Sequence, residues 1–257
     1  MSDKRPLILV TNDDGVQARG LAELVGIASK LGDVIAVAPA QHQSAKSSAL
    51  TVDGPLQINE CDPIGDAKVY SVTGTPVDCV KLALHAILDR KLDMLLSGIN
   101  HGSNAAVNNI YSGTMGAAME GCIVGVPSVG FSILTHNSGA DFSGILDMIE
   151  TIAGRVLRSG LPAGICLNVN FPKDCVPAGL KCVRAAGGYW TEEYADYARP
   201  SGKPFYWLTG KYHNTEPDDP ATDEYWLDRG WATVVPIRPD QTARDMIGTI
   251  DELLLSK

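Results

Sequence analysis

The sequence predicts an α/β protein built on a doubly wound, mostly parallel sheet, with a C-terminal extension of hairpins and a helix. Three observations predict it. Short apolar runs alternate with helix-spaced apolar residues through the first 172 or so of the 257 residues, the pattern of repeated strand–helix–strand units. Several of these runs stop at a polar, glycine-bearing stretch, the place where a parallel sheet carries its ligand loops. Beyond about Pro172 the alternation fades, and glycine, proline and aromatics cluster in Gly187-Gly188-Tyr189-Trp190 and Pro204-Phe205-Tyr206-Trp207. The expected division is therefore a body over 1–172 and a β-rich appendage over 173–257. The appendage would be available for exchange with a partner subunit, and its last strand and helix could return to the body.

Leu7-Ile8-Leu9-Val10 reads as a strand buried on both faces. It ends at Thr11-Asn12-Asp13-Asp14-Gly15, where two adjacent carboxylates could reach one ligand only if the chain turns, and Gly15 permits the turn. A helix follows over 20–31, ended by Gly32, and Val34-Ile35-Ala36-Val37-Ala38 is the second strand. The crossover between the two strands should be right-handed. A polar loop over 39–48 then opens at the edge that carries Asp13. Residues 50–59, centred on Asp53-Gly54, look like a hairpin weakened by Pro55, and a strand over 68–72 comes next. Thr75-Pro76-Val77-Asp78 is a helix start, with Thr75 as cap, Pro76 at the first helical position and Asp78 at the third. The strand over 93–97 ends in a loop, Gly98-Ile99-Asn100-His101-Gly102-Ser103-Asn104, on the same edge. Ser112-Gly113-Thr114 opens a small-residue helix, and strands over 128–133 and 165–170 flank a longer helix over 141–158.

A formal charge of −9 and a pI near 5.0 argue against a nucleic-acid polymer or an anionic membrane as partner. The six cysteines, Cys61, Cys79, Cys122, Cys166, Cys175 and Cys182, contain no Cys-x-x-Cys pair and read as reduced, mostly buried thiols of a cytoplasmic protein. Met1-Ser2-Asp3-Lys4-Arg5-Pro6 leads straight into the first strand without an apolar leader. The signatures of triphosphate-binding loops, dinucleotide sites, serine-hydrolase elbows and HExxH metalloproteases do not occur.

Oxygen is what the loops supply: Asp13, Asp14, the Ser44 hydroxyl and the Asn100 amide. Two carboxylates about 4 Å apart repel by roughly 4 kcal/mol at an effective dielectric near 20, so a cation between them is the economical answer. Hard oxygen donors select magnesium, manganese or calcium. The alternative is a loop in which one Asp caps a helix and the other is solvated. Ser112, Gly113 and Thr114 offer N–H groups, hydroxyls and a helix dipole suited to phosphate, or simply cap their helix.

Taken together, Asn12-Asp13-Asp14-Gly15-Val16, Ala38-Pro39 with Ser44, Gly74-Thr75-Pro76-Val77-Asp78-Cys79-Val80, Ser97-Gly98-Ile99-Asn100-x-Gly102-x-Asn104 and Tyr111-Ser112-Gly113-Thr114-Met115-Gly116-Ala117-Ala118 closely resemble the SurE family of metal-dependent 5'-nucleotidases. Weaker matches run through Leu167-Asn168-Val169-Asn170 and Thr222-Asp223 to Pro236. The resemblance implies a Rossmann-like three-layer body and one divalent cation, magnesium or manganese, at Asp13, Asp14, Ser44 and Asn100. It also implies hydrolysis of nucleoside monophosphates and a homodimer or homotetramer formed through exchanged C-terminal segments. Two departures stand out: Ala18-Arg19-Gly20 where the family usually has Ala-Pro-Gly, and Ser44-Ala45 where it commonly has Ser-Gly. Alanine at 45 narrows the conformations open to the loop carrying Ser44.

The expected chemistry is attack on a 5'-monophosphate, with 3'-monophosphates and short polyphosphate as further candidates, by a metal-activated water that Asp13 or Asp14 orients. Asn100, Asn104, Ser112, Gly113 and Thr114 are the candidate substrate-binding residues, the last four holding phosphate oxygens. His42 or His101 could protonate the leaving group, against the plainer reading of solvated loop histidines. Lys46 could attract phosphate, His85 has no expected role, and Tyr189 or Trp190 could border a base or pack in the core. Two rival readings are an aspartyl-phosphate enzyme using Asp13 and a non-catalytic nucleotide sensor.

Overall fold

The computed structural model describes residues 4–137, 139–173, 176–199 and 201–255; Met1 to Asp3 and Cys175 lie outside them. Its centre is a nine-stranded, mostly parallel sheet. The strands are β1 (Leu7–Thr11), β2 (Asp33–Pro39), β3 (Ile58–Ile64), β4 (Ala67–Val72), β5 (Met94–His101), β6 (Ser128–Ile133), β7 (Cys166–Phe171), β8 (Leu180–Cys182) and, late in the chain, β13 (Ala232–Ile237). Their order is β3-β4-β2-β1-β5-β6-β7-β13-β8, antiparallel only at β3/β4 and β7/β13. The late strand β13 thus belongs to the sheet of the body, between β7 and β8.

Residues alternate across β1 as a strand buried on both faces requires. Ile8 and Val10 pack with α1 (Arg19–Leu31) and α5 (Leu146–Ser159), while Leu7 and Leu9 pack with α2 (Pro76–Leu82) and α4 (Gly113–Ile123). Two helical layers therefore sandwich the sheet. The β1–α1–β2 connection runs one way along the sheet and β6–α5–β7 the other, yet both helices cover the same face. The second crossover consequently has the opposite hand from the first, a rare exception among parallel connections.

Gly20 lets α1 lie directly on β5, since a Cβ there would stand 2.1 Å from the Ile99 carbonyl oxygen. Gly32 ends α1 for a reason of space. Its backbone is extended, at φ −164°, and a Cβ would meet the Pro6 carbonyl oxygen at 2.4 Å.

Three expectations need correction. The hairpin is not at 50–59: β3 and β4 form it, around Gly65 at φ +59°. Segment 49–51 is instead drawn onto the cap of α2. Thr51 donates its hydroxyl to Asp78 Oδ2 at 2.7 Å, and the Thr75 hydroxyl donates to the Ala49 carbonyl at 2.7 Å. Pro63, lacking an N–H, is tolerated because β3 is an edge strand. The strand expected over 93–97 continues as β5 through His101, its register against β6 shifting between Ser97 and Asn100. The helix expected from 141 begins at Leu146, because Asp141 turns the chain locally by accepting the Ser143 N–H and hydroxyl at 2.9 and 2.8 Å. The α2 helix, with the Thr75/Asp78 capping box as expected, passes into a π-helical turn over Ala83–Ile87.

The appendage contains two small antiparallel ribbons, β9 (Gly188–Thr191) with β12 (Lys211–Asn214), and β10 (Tyr194–Ala198) with β11 (Pro204–Leu208). Short α6 (Asp223–Leu227) precedes β13, and α7 (Ile247–Leu255) closes the chain with Ile247, Ile250, Leu253, Leu254 and Leu255 all exposed. A further short helix, α3 (Asn108–Tyr111), leads into α4. No helix among the described residues is long and apolar enough to cross a membrane. No described cysteine is disulfide-bonded; Cys79, Cys122 and Cys166 are buried, whereas Cys182 is exposed.

Candidate active site

Strands β1 and β5 are neighbours whose outgoing connections lie on opposite faces, α1 covering one and α4 the other. Their carboxyl ends diverge at this switch point, and a cleft of about 560 Å³ opens there. Asp13, Ser44, Asn100, Asn104 and Ser112 line it, together with residues of the appendage.

The turn after β1 is made by Asn12. Its Oδ1 accepts the Gly15 N–H at 3.2 Å and its Nδ2 donates to the Gly15 carbonyl at 3.0 Å, with Gly15 at φ +102°. The buried Asp13 carboxylate accepts the Thr114 hydroxyl at 2.6 Å. Burial pushes its pKa up to about 6, and the Asp14 charge adds to the rise; bonds from the hydroxyl and backbone of Thr114 hold it back. Asp14 Oδ2 accepts the His101 N–H at 3.2 Å and lies 3.4 Å from His101 Nδ1, while Oδ1 lies 3.5 Å from His42 Nδ1. The Asp14 charge reaches Asp13, but Asp13 is the one of the pair that lines the cleft, while the Asp14 carboxylate faces His101 and His42.

Gly113 makes room for this arrangement. A Cβ there would come within 2.9 Å of Asp13 Cβ and 3.1 Å of its Oδ2. Because the Thr114 hydroxyl and N–H both face Asp13, the dipole at the start of α4 stabilises that carboxylate. The Ser112 hydroxyl accepts the Met115 N–H at 3.0 Å as helix cap, and can still donate its own proton.

The Ser44 loop is seated from both sides. Gln43 N–H donates to the Asp13 carbonyl at 2.8 Å, and Ser47 gives its N–H to Tyr111 and its hydroxyl to Ile110, at 3.0 and 2.6 Å. Ala45 sits at φ +58°, a left-handed conformation that costs an L-residue about 1–2 kcal/mol. Ala45→Gly is expected to stabilise the protein by roughly 1 kcal/mol, a rise of about 2–4 °C in Tm for a chain of this size. An unchanged or lowered Tm would show that the loop carries no such strain. Arg19, the other departure, donates to the Ala140 carbonyl at 3.3 Å and lies over the Phe142 ring at 5.7 Å. That ring in turn meets His101 edge-on at 5.3 Å.

Asn100 donates its Nδ2 to the Gly102 carbonyl at 2.9 Å. Asn104 is held at both backbone groups by side chains of β7: its N–H donates to Asn170 Oδ1 at 2.9 Å, and its carbonyl accepts Asn168 Nδ2 at 2.8 Å. Its own Nδ2 donates to the Ser132 hydroxyl at 2.7 Å. Two residues on, Ala106 N–H donates to Asp223 Oδ2 at 2.9 Å, and Asp223 Oδ1 takes Ala186 N–H at 2.8 Å. This buried carboxylate therefore ties the cleft loop to the root of the β9 ribbon.

His136 joins the cleft without a motif to mark it, its ring packing where a Gly102 Cβ would fall, 2.7 Å away. The available signal was its position just beyond β6, at the same sheet edge. Asn108, Glu193, Tyr194, Leu208 and Thr209 complete the cleft wall without any local pattern to mark them, and Tyr111 joins them from the head of the stretch that opens α4. Trp190 lines the cleft; Tyr189 is exposed and packs on His213 instead. His42 is largely exposed, whereas His101 is mostly buried and its Nε2 has no partner among the described residues.

The donor set can be tested against a cation. No lysine or arginine among the described residues pairs with Asp13 or Asp14, so their mutual repulsion is relieved only by neutral hydrogen bonds and two histidines. No group of three or more His, Cys, Asp and Glu side chains gathers as a metal site among the described residues. What gathers instead is carboxylate, hydroxyl and amide oxygen, a set that fits a hard divalent ion. With Asp13 raised to about 6 from 3.8, its ionisation weakens the metal-free fold: stability falls as pH rises through that window, by about 3 kcal/mol in all. Asp13→Asn should remove the loss. In EDTA its Tm is expected to exceed that of the parent at pH 7.5, with the gap closing by pH 4; equal values at pH 7.5 would refute the burial argument.

Fold and site together define a doubly wound α/β protein with a small-ligand cleft at the topological switch point. A family model described as Survival protein SurE matches residues 8–192. Proteins named 5'-nucleotidase SurE are similar throughout: that of Christiangramia forsetii is 46% identical over 96% of each chain, and that of Phocaeicola vulgatus 43% over 97% of each. The crystal structure of the Aquifex aeolicus Sure protein superposes with a TM-score of 0.83 at 34% identity, over 96% of this chain and 99% of that one. The chain belongs to the SurE family.

Proposed function

We propose that the protein is a divalent-metal-dependent phosphomonoesterase that releases phosphate from nucleoside 5'-monophosphates. The observation that carries this reading is the buried Asp13, lining one cleft with Ser44, Asn100 and Ser112 and held by Thr114 at the start of α4. The names of the relatives support it. Asp13, Asp14, Ser44 and Asn100 would hold the cation, magnesium or manganese on the chemistry of their oxygens. When bound, it would offset the charge of the monoester and acidify an attacking water.

Within that frame, Asp14, steadied by the His101 N–H, accepts the proton of the attacking water. Ser112 donates its hydroxyl, and Gly113 its N–H, to phosphate oxygens, with the second amide proton of Asn104 beside them. Thr114 acts mainly through Asp13, since its hydroxyl is already committed there. The aspartyl-phosphate route is not favoured, because Asp13 is buried and bonded in place. Nor is the sensor reading, given the relatives' names. The test is phosphate release from nucleoside 5'- and 3'-monophosphates, short polyphosphate and an aryl phosphate, with magnesium, manganese or EDTA. Metal-dependent release from the 5'-monophosphates is expected; no release with any metal would defeat the proposal.

We further infer self-association through the 173–257 appendage, supported by the exposed leucines and isoleucines of α7. Light scattering of the full chain should give a dimer or tetramer mass, and a monomer at micromolar concentration would refute it.

A further inference from the structure

The cleft has two unlike sets of lining residues. Asp13, Ser44, Asn100 and Ser112 bring carboxylate, hydroxyl and amide, whereas Tyr111, Trp190, Glu193 and Leu208 bring aromatic rings, a second carboxylate and an apolar side chain. Trp190 is fixed on several sides. Its Nε1 donates to Asn108 Oδ1 at 2.9 Å, the Tyr212 ring meets it edge-on at 5.9 Å, and Gly210 leaves room for it, since a Cβ there would stand 3.0 Å from Trp190 Cε3. Glu193 stands in the turn between β9 and β10, its carbonyl accepting the Thr209 N–H at 2.8 Å. The adjacent Glu192 pairs with Lys211 at 2.7 Å, whereas no lysine or arginine among the described residues pairs with Glu193. A fixed indole and an exposed carboxylate without a cation partner among the described residues thus line the same cleft as the hydroxyls and amides that suit a phosphate.

We propose that Trp190 and Glu193 form a nucleobase site selecting purines, guanine above all. The inference rests on the hydrolase reading given above and names the substrate within it. A purine offers the larger face for stacking on an indole. An ionised carboxylate only accepts hydrogen bonds, and guanine presents two adjacent donors, N1–H and N2–H, that one carboxylate takes in bidentate fashion. Adenine and cytosine set a single amine beside an acceptor lone pair, and uracil sets one imide N–H between two carbonyls. Each of these leaves a lone pair facing the carboxylate.

The experiment compares kcat/KM for GMP, AMP, CMP, UMP and ribose 5-phosphate in the parent, Glu193→Gln and Trp190→Leu, and follows quenching of tryptophan emission by GMP and CMP. The parent should favour GMP over the pyrimidine nucleotides by about tenfold or more. Glu193→Gln should lower the ratio of GMP to ribose 5-phosphate turnover by about tenfold, and Trp190→Leu should lower that ratio for every base, through KM, with loss of the GMP quench. Equal turnover for all bases, or a GMP preference untouched by Glu193→Gln, overturns the proposal while hydrolysis stands. Quenching by GMP through Trp190 without phosphate release from any monoester would leave the base site standing and remove the hydrolase reading.

Discussion

Replacing Asp14 with asparagine is expected to lower phosphate release about a thousandfold or more, since each pair of unit charges near 4 Å at an effective dielectric of about 20 is worth roughly 4 kcal/mol and the cation is divalent. The substitution is nearly isosteric, and an asparagine oxygen can still accept the His101 N–H that Asp14 accepts at 3.2 Å. The fold should therefore be kept, and the loss should fall on kcat together with metal affinity. Steady-state kinetics over a magnesium titration, alongside a thermal melt, checks this. Activity within tenfold of the parent at saturating metal would mean that Asp14 is only a loop acceptor.

The second large effect comes from a glycine. Gly113→Ala should cost stability modestly, because the new Cβ would stand 2.9 Å from Asp13 Cβ and 3.2 Å from Pro76 Cγ, which outweighs the preference of alanine over glycine at the first residue of a helix. Asp13 must shift, and its carboxylate moves with it. A displacement of this kind at a reacting centre costs on the order of a hundredfold in rate. Activity thus falls far more than stability, which a general loosening of the core would not produce. Parent-like turnover, or a Tm lowered by many degrees, would show that the contact between α4 and Asp13 is not what sets the site.

Much of this was legible in the chain because the signals were local. The apolar run at Leu7, the capping box at Thr75 and Asp78, and the polar stretches ending β1 and β5 follow from patterns a few residues long, and the structure keeps them. Asp13, Ser44, Asn100, Asn104 and Ser112 line one cleft because their loops share the carboxyl edge of one sheet. Other features depended on partners far along the chain. Segment 49–51 gave up a hairpin for bonds to Asp78, more than 20 residues away. Thr114 looked like a phosphate donor until the fold placed its hydroxyl on Asp13, 101 residues away. Asp223 showed no local sign that it would join Ala106 to Ala186, and the aromatic wall depends on ribbons whose packing no periodicity reveals.

The most direct test of the central claim is a crystal structure of the manganese-soaked protein, with anomalous scattering recorded near the manganese edge. The account requires a peak bonded to oxygens of Asp13 and Asn100, with Asp14 and Ser44 around it. A cleft without a peak at millimolar manganese, or a peak held by other residues, would contradict it.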